Sequence, residues 1–391
     1  MTALPDPVAL LQELVRIPSP NPPGDTRAIA AFVAEQLQAG GYAVRVLAPE
    51  AKPEAASVVA TVGQGDPVIM LHAHVDTVPI AAAEADRWSL DPYAAEIRDG
   101  RLYGKGSVDD KAPLAAMVVA AAHVAAQRDR LRGTLVLVAA AEEETGGQLG
   151  TRWLAEAGHL PACDFIIVGE QTHNRVATAH KGVLRATVRV HGQSAHATNP
   201  DRGVNAITAM ARIVLALEAY HRALAERVHP MVGVPTCNVG VIQGGSTANA
   251  VPDHCVIYLD RRMIPGEDPA TVQAELVEVV RGVDIAPAEA EVSGFQVSNW
   301  FSSTAAGPLA RTFLDCVARE LADSPGPVGY LPGSDAKHLT GLTRGEMVIF
   351  GPGSYEVAHA FDEYVDLAEL GATTDILLDF VQRTLLGGEG R

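Results

Sequence analysis

An almost uninterrupted apolar run near the middle of the chain constrains the fold more than any other feature. The segment 133–140 reads GTLVLVAA, and Thr134 is its only polar side chain. A strand that is exposed on one face alternates polar and apolar residues, whereas a strand buried on both faces is apolar throughout. The run therefore predicts a central strand of a sheet that is covered by helices on both sides.

The rest of the chain alternates short apolar strands with helices, which predicts an α/β fold with a mixed, mostly parallel sheet flanked by helices. After about residue 180 the order changes to β-α-β-β-α, typical of a small ferredoxin-like α+β sheet. The alternation of strands and helices resumes after about residue 296. We therefore predict an α/β domain of residues 1-179 and 297-391, interrupted by an inserted α+β domain of residues 180-296.

Composition excludes several classes of function. The 391 residues carry a formal net charge of -17, which repels phosphate backbones and anionic lipid headgroups, so we expect neither nucleic-acid nor membrane partners. Four cysteines without a CxxC pair do not form a disulfide framework. The N-terminal segment lacks the basic and apolar regions of a signal peptide, and no apolar stretch has the length of a membrane span. We expect a cytoplasmic protein.

Histidine and acidic residues follow the predicted strands at the points where open α/β sheets place their sites. They are His74 and Asp76 in LHAHVDTVP, Asp109 and Asp110 in GKGSVDDK, Glu142, Glu143 and Glu144 in AEEETGG, Glu170 in IIVGEQT, and His359 and Glu363 in GPGSYEVAHAFDE. Nitrogen and carboxylate ligands of this kind suit Zn²⁺, Co²⁺ or Mn²⁺. The sequence therefore predicts a metal site. Competing catalytic signatures are missing, because the chain contains neither a GxSxG nor an HExxH motif.

Spacing alone leaves several alternatives open. Each cluster also has a purely structural explanation, because an acidic pair at a helix start is stabilised by the helix dipole without any metal. Among the adjacent carboxylates, nothing in the spacing distinguishes Glu143 from Glu144 as a metal ligand. His72 points to the same side of its strand as His74 but lies further back, so we expect it to be structural.

Taken in order, these motifs resemble those of the M20 family of two-metal peptidases and deacylases, which includes acetylornithine deacetylase, succinyl-diaminopimelate desuccinylase and aminoacylase. HAHVDTVP is similar to GHxDxVP, GRLYGKGSVDDK to GxLyGRGxxDxKG, EEETGG to DEExG, VGEQT to GEPT, and GPGSYEVAHAFDE to GPG…AHxxdE. The resemblance covers nearly the whole chain. Departures from the pattern occur at Lys105, Ala112, Glu142, Gln171 and Ser334, and none removes a candidate ligand or base.

The resemblance implies a role for each residue of the metal site. His74 and Glu170 would each bind one metal ion, Glu144 and His359 would bind the other, and Asp109 would bridge both. Glu143 would act as general base on the attacking water, and Asp76 would orient His74. We expect two divalent ions, Zn²⁺ in the first place and Co²⁺ or Mn²⁺ as alternatives.

The resemblance extends to the inserted domain, which would act as a lid and as the contact of a homodimer. HGQSAHATNPDRGVNAI is similar to GxxaHxsxPxxGxNAi, which makes His196 an oxyanion contact that reaches the neighbouring subunit's active site. Asn249 in GGSTANAVPDHC would bind substrate, and Arg262 in LDRRMIPGE would pair with the substrate carboxylate. Gly333 and Ser334 would lie on a loop near the substrate.

The hypothesis that follows is a metal-dependent amidohydrolase that hydrolyses the amide of an N-acyl amino acid, a deacylase of the acetylornithine deacetylase or desuccinylase type. A di- or carboxypeptidase acting on short peptides is the alternative on the same scaffold. A non-enzymatic binding protein would not need Glu143, and a structural-zinc protein would unfold when its metal is removed. These two further classes are therefore open to direct tests.

Overall fold

The computed structural model describes residues 4–81, 86–322 and 326–387. The chain divides into two compact units, the first made of Met1–Thr178, Ser303–Tyr330 and Ser334–Arg391, the second of Ala179–Ser302 and Leu331–Gly333. The sequence-based assignment of a catalytic role to residues 1-179 and 297-391, and of a lid and dimerisation role to residues 180-296, stays a prediction.

The described residues contain the following α-helices and β-strands. The helices are α1 Pro7–Val15, α2 Arg27–Ala39, α3 Lys111–Ala126, α4 Thr151–Glu156, α5 Ala206–Ala223, α6 Pro269–Arg281, α7 Pro308–Glu320, α8 Ala336–Leu339 and α9 Leu367–Leu385. The strands are β1 Ala43–Leu47, β2 Ser57–Gln64, β3 Val68–His74, β4 Glu96–Arg98, β5 Arg101–Tyr103, β6 Gly133–Ala140, β7 Cys163–Val168, β8 Ala177–His180, β9 Gly182–His191, β10 Ala195–His196, β11 Thr236–Gly244, β12 Ala250–Val251, β13 His254–Met263, β14 Glu289–Ser298, β15 Phe301–Ser302, β16 Val328–Tyr330, β17 Thr343–Ile349 and β18 Tyr364–Asp366.

Side-chain caps and prolines set the start of several helices. Asp6, Asn205 and Asp268 accept hydrogen bonds from backbone N–H groups in the first turns of α1, α5 and α6. Such caps satisfy donors that have no partner inside the helix. Pro7 and Pro269 occupy first helical positions, where the missing N–H costs nothing.

The first unit is built on a mixed sheet in the order β1-β2-β6-β3-β7-β17-β8, with β16 also paired to β8. The four adjacent strands β6, β3, β7 and β17 are parallel, and the remaining pairs on this path are antiparallel. Every residue of β6 is buried, as its apolar sequence predicts. The predicted α/β fold with a mostly parallel sheet is thereby confirmed at the centre of the sheet.

The helices that pack on this sheet include the alanine-rich helix α3, and helices α7 and α9 contribute to a cluster of aromatic rings. Helix α3 packs against α9 as well as against β3 and β6, and its small side chains permit a close approach to the sheet. The ring of Phe313 lies 5.0 Å from that of Phe350 and 5.2 Å from that of Phe380, both edge to face. Edge-to-face aromatic pairs stabilise a fold by more than the burial of their apolar surface alone.

The parallel strands place the candidate site residues at one edge of the sheet. His74 is the last residue of β3, the glutamates at 142–144 follow β6 after one residue, and Glu170 follows β7 after one residue. Because parallel strands end at the same edge, these loops converge there. The fold therefore brings together residues that are far apart in the sequence.

Strand β5, the central strand of a small sheet in the order β18-β5-β4, leads into the segment that carries Asp109. Next to it, Lys105 Nζ lies 2.8 Å from Glu363 Oε2, and both side chains are buried. The second oxygen, Glu363 Oε1, accepts hydrogen bonds from the backbone N–H groups of Val108 at 3.1 Å and Asp109 at 3.3 Å. Glu363 thus sets the backbone position of Asp109, and Lys105 neutralises the charge of Glu363.

The second unit has its own antiparallel sheet, in the order β11-β13-β9-β14, with helices α5 and α6. The β-α-β-β-α-β sequence of its main elements is that of a ferredoxin-like motif. Its core joins residues of β9, α5 and α6, among them Leu184, Ile213 and Leu276. Strand β14 lies outside the elements expected from the sequence, and it contains a register shift between Ser293 and Gln296.

None of the helices in the described ranges combines the length and apolar character that crossing a membrane requires.

We predict that Lys105→Ala lowers the free energy of unfolding by about 3–5 kcal/mol, because it leaves the Glu363 carboxylate buried without its partner. The measurement is urea denaturation followed by circular dichroism. Lys105→Arg, which keeps the charge, is expected to be much closer to the wild type.

The matched control is Arg101→Ala in the adjacent small sheet, where Arg101 and Asp366 form an exposed pair with 40% and 42% of their side chains accessible. It should change stability little, since exposed pairs contribute little. Equal stability of Lys105→Ala and Arg101→Ala would contradict the importance of the buried pair.

Candidate active site

The first group of potential metal ligands joins three buried residues, His74, Asp109 and Glu170, each of which offers one atom within 4.8 Å of the others. His74 Nε2 lies 3.0 Å from Asp109 Oδ1. Its other ring nitrogen, Nδ1, lies 3.0 Å from the carbonyl oxygen of Asp76 and 3.5 Å from Asp76 Oδ1. The ring is therefore held at Nδ1 and directs Nε2 towards the carboxylates, the arrangement that orients metal-binding histidines.

The second group joins Asp109, Glu144 and His359, again within 4.8 Å. His359 Nε2 lies 3.0 Å from Asp109 Oδ2 and 3.2 Å from Glu144 Oε2. These two contacts raise the pKa of His359 to about 10. Asp109 belongs to both groups and presents one oxygen to each histidine.

The donors in these two groups fit divalent cations. Burial raises the pKa of Glu170 well above its usual value and also raises that of Glu144, and neighbouring carboxylates add to both effects. Packing several buried carboxylates together is unfavourable unless positive charge compensates them. Two histidine nitrogens and three carboxylates are a ligand set that suits Zn²⁺ and similar ions.

Asp76 has a second contact that the sequence did not reveal. Its carboxylate accepts hydrogen bonds from the backbone N–H groups of Glu143 at 3.1 Å and Glu144 at 3.2 Å. Asn21 Nδ2 donates to Asp76 Oδ2 at 2.9 Å. One carboxylate therefore connects the loop that carries the glutamates to the segment after His74.

The adjacent side chains of Glu143 and Glu144 have different partners. Glu144 contacts His359 as described above, whereas Glu143 Oε1 lies 3.4 Å from Lys337 Nζ. Burial raises the pKa of Glu143 to about 7, and the ammonium group of Lys337 opposes this shift. The geometry thus separates two residues that spacing could not distinguish, and it identifies Lys337 as a site residue that sequence reasoning missed.

His72 and Asp110 lie beside the two groups without joining them. His72 Nε2 is 2.8 Å from Thr151 Oγ1 and 3.6 Å from Asp335 Oδ2, and burial lowers the pKa of this histidine to about 4. Asp110 Oδ2 accepts a hydrogen bond from the backbone N–H of His74 at 3.1 Å, which braces the end of β3.

The expected substrate contacts fall mainly in the second unit. His196 on β10 is paired in register with Ala250 on β12, directly after Asn249. Arg262 on β13 forms an ion pair with Asp260 at 2.7 Å and keeps 35% of its side chain accessible. The neighbouring Arg261 is fully buried against Glu267, so Arg262 is the accessible arginine of the pair.

The expected loop residues Gly333 and Ser334 fall in different units. Gly333 ends the short segment that belongs to the second unit, whereas Ser334 belongs to the first. Ser334 is buried, and its carbonyl oxygen accepts a hydrogen bond from Lys337 Nζ at 2.9 Å. Ser334 therefore helps to hold the lysine that contacts Glu143.

Comparisons with known proteins identify the family of the chain. Residues 70–383 match the model of peptidase family M20/M25/M40. The acetylornithine deacetylase of Myxococcus xanthus is 33% identical over 379 residues, which cover 93% of each chain.

Two solved structures share the fold. A tripeptidase from Staphylococcus aureus superposes with a TM-score of 0.76 at 23% identity and covers 97% of both chains. The Bacillus subtilis YxeP protein, described as a dinuclear metal-binding peptidase from the M20 family, has a TM-score of 0.69 at 18% identity and covers 97% of this chain and 98% of that one. The resemblance inferred from the motifs is confirmed: the chain belongs to peptidase family M20/M25/M40 and is a hydrolase of the metallo-peptidase and deacetylase type.

Proposed function

We propose that the protein is a metal-dependent deacylase that hydrolyses the amide bond of an N-acyl amino acid. The observation that carries the proposal is Asp109, whose two oxygens face His74 and His359 at 3.0 Å each. The similarity to an acetylornithine deacetylase over 93% of both chains supports this substrate class.

In this proposal two divalent ions, Zn²⁺ in the first place, are held by the two groups of ligands. His74 and Glu170 would hold one ion, Glu144 and His359 would hold the other, and Asp109 would contribute to both. When bound, such ions lower the pKa of a water molecule and polarise the carbonyl of the scissile amide.

The chain's own residues then move the proton. Glu143 takes a proton from the attacking water and delivers it to the leaving amine, the two halves of general base and general acid catalysis. Lys337 contacts one of its oxygens at 3.4 Å, and the Asp76 carboxylate holds its backbone N–H, so the side chain is restrained at both ends. Asp76 also holds His74 in orientation.

Substrate recognition is assigned to residues with polar groups of the right kind. Arg262 pairs with the substrate carboxylate, since a guanidinium group matches a carboxylate with two parallel hydrogen bonds. Asn249, Gly333 and Ser334 complete the contacts. His196 stabilises the oxyanion from the second subunit of a homodimer that forms through the second unit.

We predict that the metal-free protein, reloaded separately with Zn²⁺, Co²⁺ and Mn²⁺, hydrolyses N-acetyl and N-succinyl amino acids faster than dipeptides or C-terminally extended peptides. The measurement is kcat/KM across the substrate panel. Preferred turnover of dipeptides would replace the deacylase by a peptidase on the same scaffold.

The same experiment controls for a structural metal. Treatment with EDTA should abolish turnover and leave the far-UV circular dichroism nearly unchanged. Loss of the helical signal would show instead that the metal ions hold the fold together.

We predict that Glu143→Gln lowers kcat by at least about 10²-fold, because general acid and base catalysis contributes this much or more. The variant should still bind two ions, measured by elemental analysis of the dialysed protein, since Glu143 lies outside both ligand groups. Glu144→Gln is the matched control and should lose metal as well as activity. Near-normal turnover of Glu143→Gln would refute the assigned base.

We predict that the inactive variants His196→Ala and Glu143→Ala complement each other when co-expressed. A mixed dimer then contains one intact site, so a random mixture should recover roughly a quarter of the wild-type activity, as two-fold symmetry requires. Light scattering should report a dimer. Absence of recovery in a preparation that contains mixed dimers would contradict the role of His196 across subunits.

A further inference from the structure

Position 171 is the departure from the family pattern that metal binding alone does not explain. Gln171 stands where proline follows the glutamate in GEPT-like motifs, and its polar side chain is 2% exposed. A buried amide is costly unless it forms hydrogen bonds. The residue therefore requires a partner inside the first unit.

That partner is Tyr330, the last residue of β16. Its hydroxyl oxygen lies 3.0 Å from Glu170 Oε2 and 2.5 Å from Gln171 Oε1. All three side chains are buried, with Tyr330 4% and Glu170 4% exposed. The backbone N–H of Val328 donates to the carbonyl of Val176 at 2.9 Å, which fixes the strand that delivers the phenol.

A hydroxyl carries one proton and can donate to only one of two neighbouring oxygens at a time. Both contacts are satisfied together when the Gln171 amide is turned so that its NH₂ group donates to the tyrosine oxygen. The proton of Tyr330 is then directed to Glu170. Gln171 thereby orients the hydroxyl, and the hydroxyl holds one oxygen of the glutamate.

The other group of ligands is braced differently. Glu144 Oε1 accepts a hydrogen bond from the backbone N–H of Val78 at 3.0 Å. Because the donor belongs to the main chain, the position of Glu144 does not depend on Tyr330. The two carboxylates assigned to separate ions therefore have separate supports, one from a side chain and one from the main chain.

We propose that Tyr330, oriented by Gln171, is a positioning residue for Glu170 and strengthens the metal position of His74 and Glu170 while leaving that of Glu144 and His359 unchanged. This inference rests on the proposed function, because it assumes that Glu170 binds an ion. A carboxylate with one oxygen held by a hydroxyl presents the other to a cation in a single orientation. Loss of such outer contacts weakens metal affinity in other proteins.

The test is a Zn²⁺ titration of the metal-free protein in competition with a chromophoric chelator, which resolves two affinities. In Tyr330→Phe one affinity should fall by about 10-fold or more and the other should stay at its wild-type value. Tyr355→Phe is the matched control. The ring of Tyr355 packs edge to face on Tyr330 at 6.2 Å, and within the described residues its hydroxyl forms no hydrogen bond with Glu144 or Glu170. Both affinities should be unchanged there.

A second variant, Gln171→Met, keeps the phenol and removes the amide. It should weaken the same ion, by less than Tyr330→Phe does. Wild-type affinities in both Tyr330→Phe and Gln171→Met would overturn the positioning role, as would an equal fall of both affinities in Tyr330→Phe, because that pattern indicates general loosening of the fold.

The Glu170→Gln background separates this inference from the proposed function. There one ion should be lost, and adding Tyr330→Phe should not alter the affinity of the remaining ion. Two ions bound at wild-type affinity in Glu170→Gln would refute the metal site itself. One ion lost in Glu170→Gln, together with unaltered binding in Tyr330→Phe, would refute only the role of Tyr330.

Discussion

The arrangement of this site depends on the charge of carboxylates that are buried next to one another. Asp109 presents an oxygen to each of two histidines at 3.0 Å, and Glu144 and Glu170 lie in the two groups that share it. Removing such groups from water is costly, so they need hydrogen bonds or ion pairs from the surrounding backbone and side chains. Glu363, Asp76 and Tyr330 supply these supports, and each is itself buried.

Much of the fold could be predicted from the sequence, because long elements carry a clear pattern. The apolar run of β6 has the bounds that the residue pattern indicates. Strands β4, β5 and β18 were missed, since three residues each are too few to show periodicity. Strand β14 was missed because Gly294, at a φ of +65°, lies within its register shift and interrupts the alternation.

At the site, local sequence patterns were informative, whereas contacts between residues far apart in the sequence could not be predicted. Ligand candidates could be found because strand ends concentrate them, but spacing could not separate Glu143 from Glu144. Their separation depends on Lys337 and His359, which come from far along the chain. Tyr330 could not be found either, since it lies 159 residues from Gln171 and belongs to no local motif. The roles of the individual residues stay predictions, whereas their positions relative to one another within the first unit are features of the structure.

The contact between Glu363 and the backbone of Asp109 joins residues 254 positions apart. His359, which completes the second group of ligands, comes from the same late stretch of sequence, after the segment that forms the second unit. During synthesis the first unit's amino-terminal part therefore emerges with His74, Asp109 and Glu170 but without the residues that hold the shared aspartate or complete its other side. A ribosome-bound chain that ends before this stretch therefore has the first candidate group of ligands complete but lacks the histidine of the second.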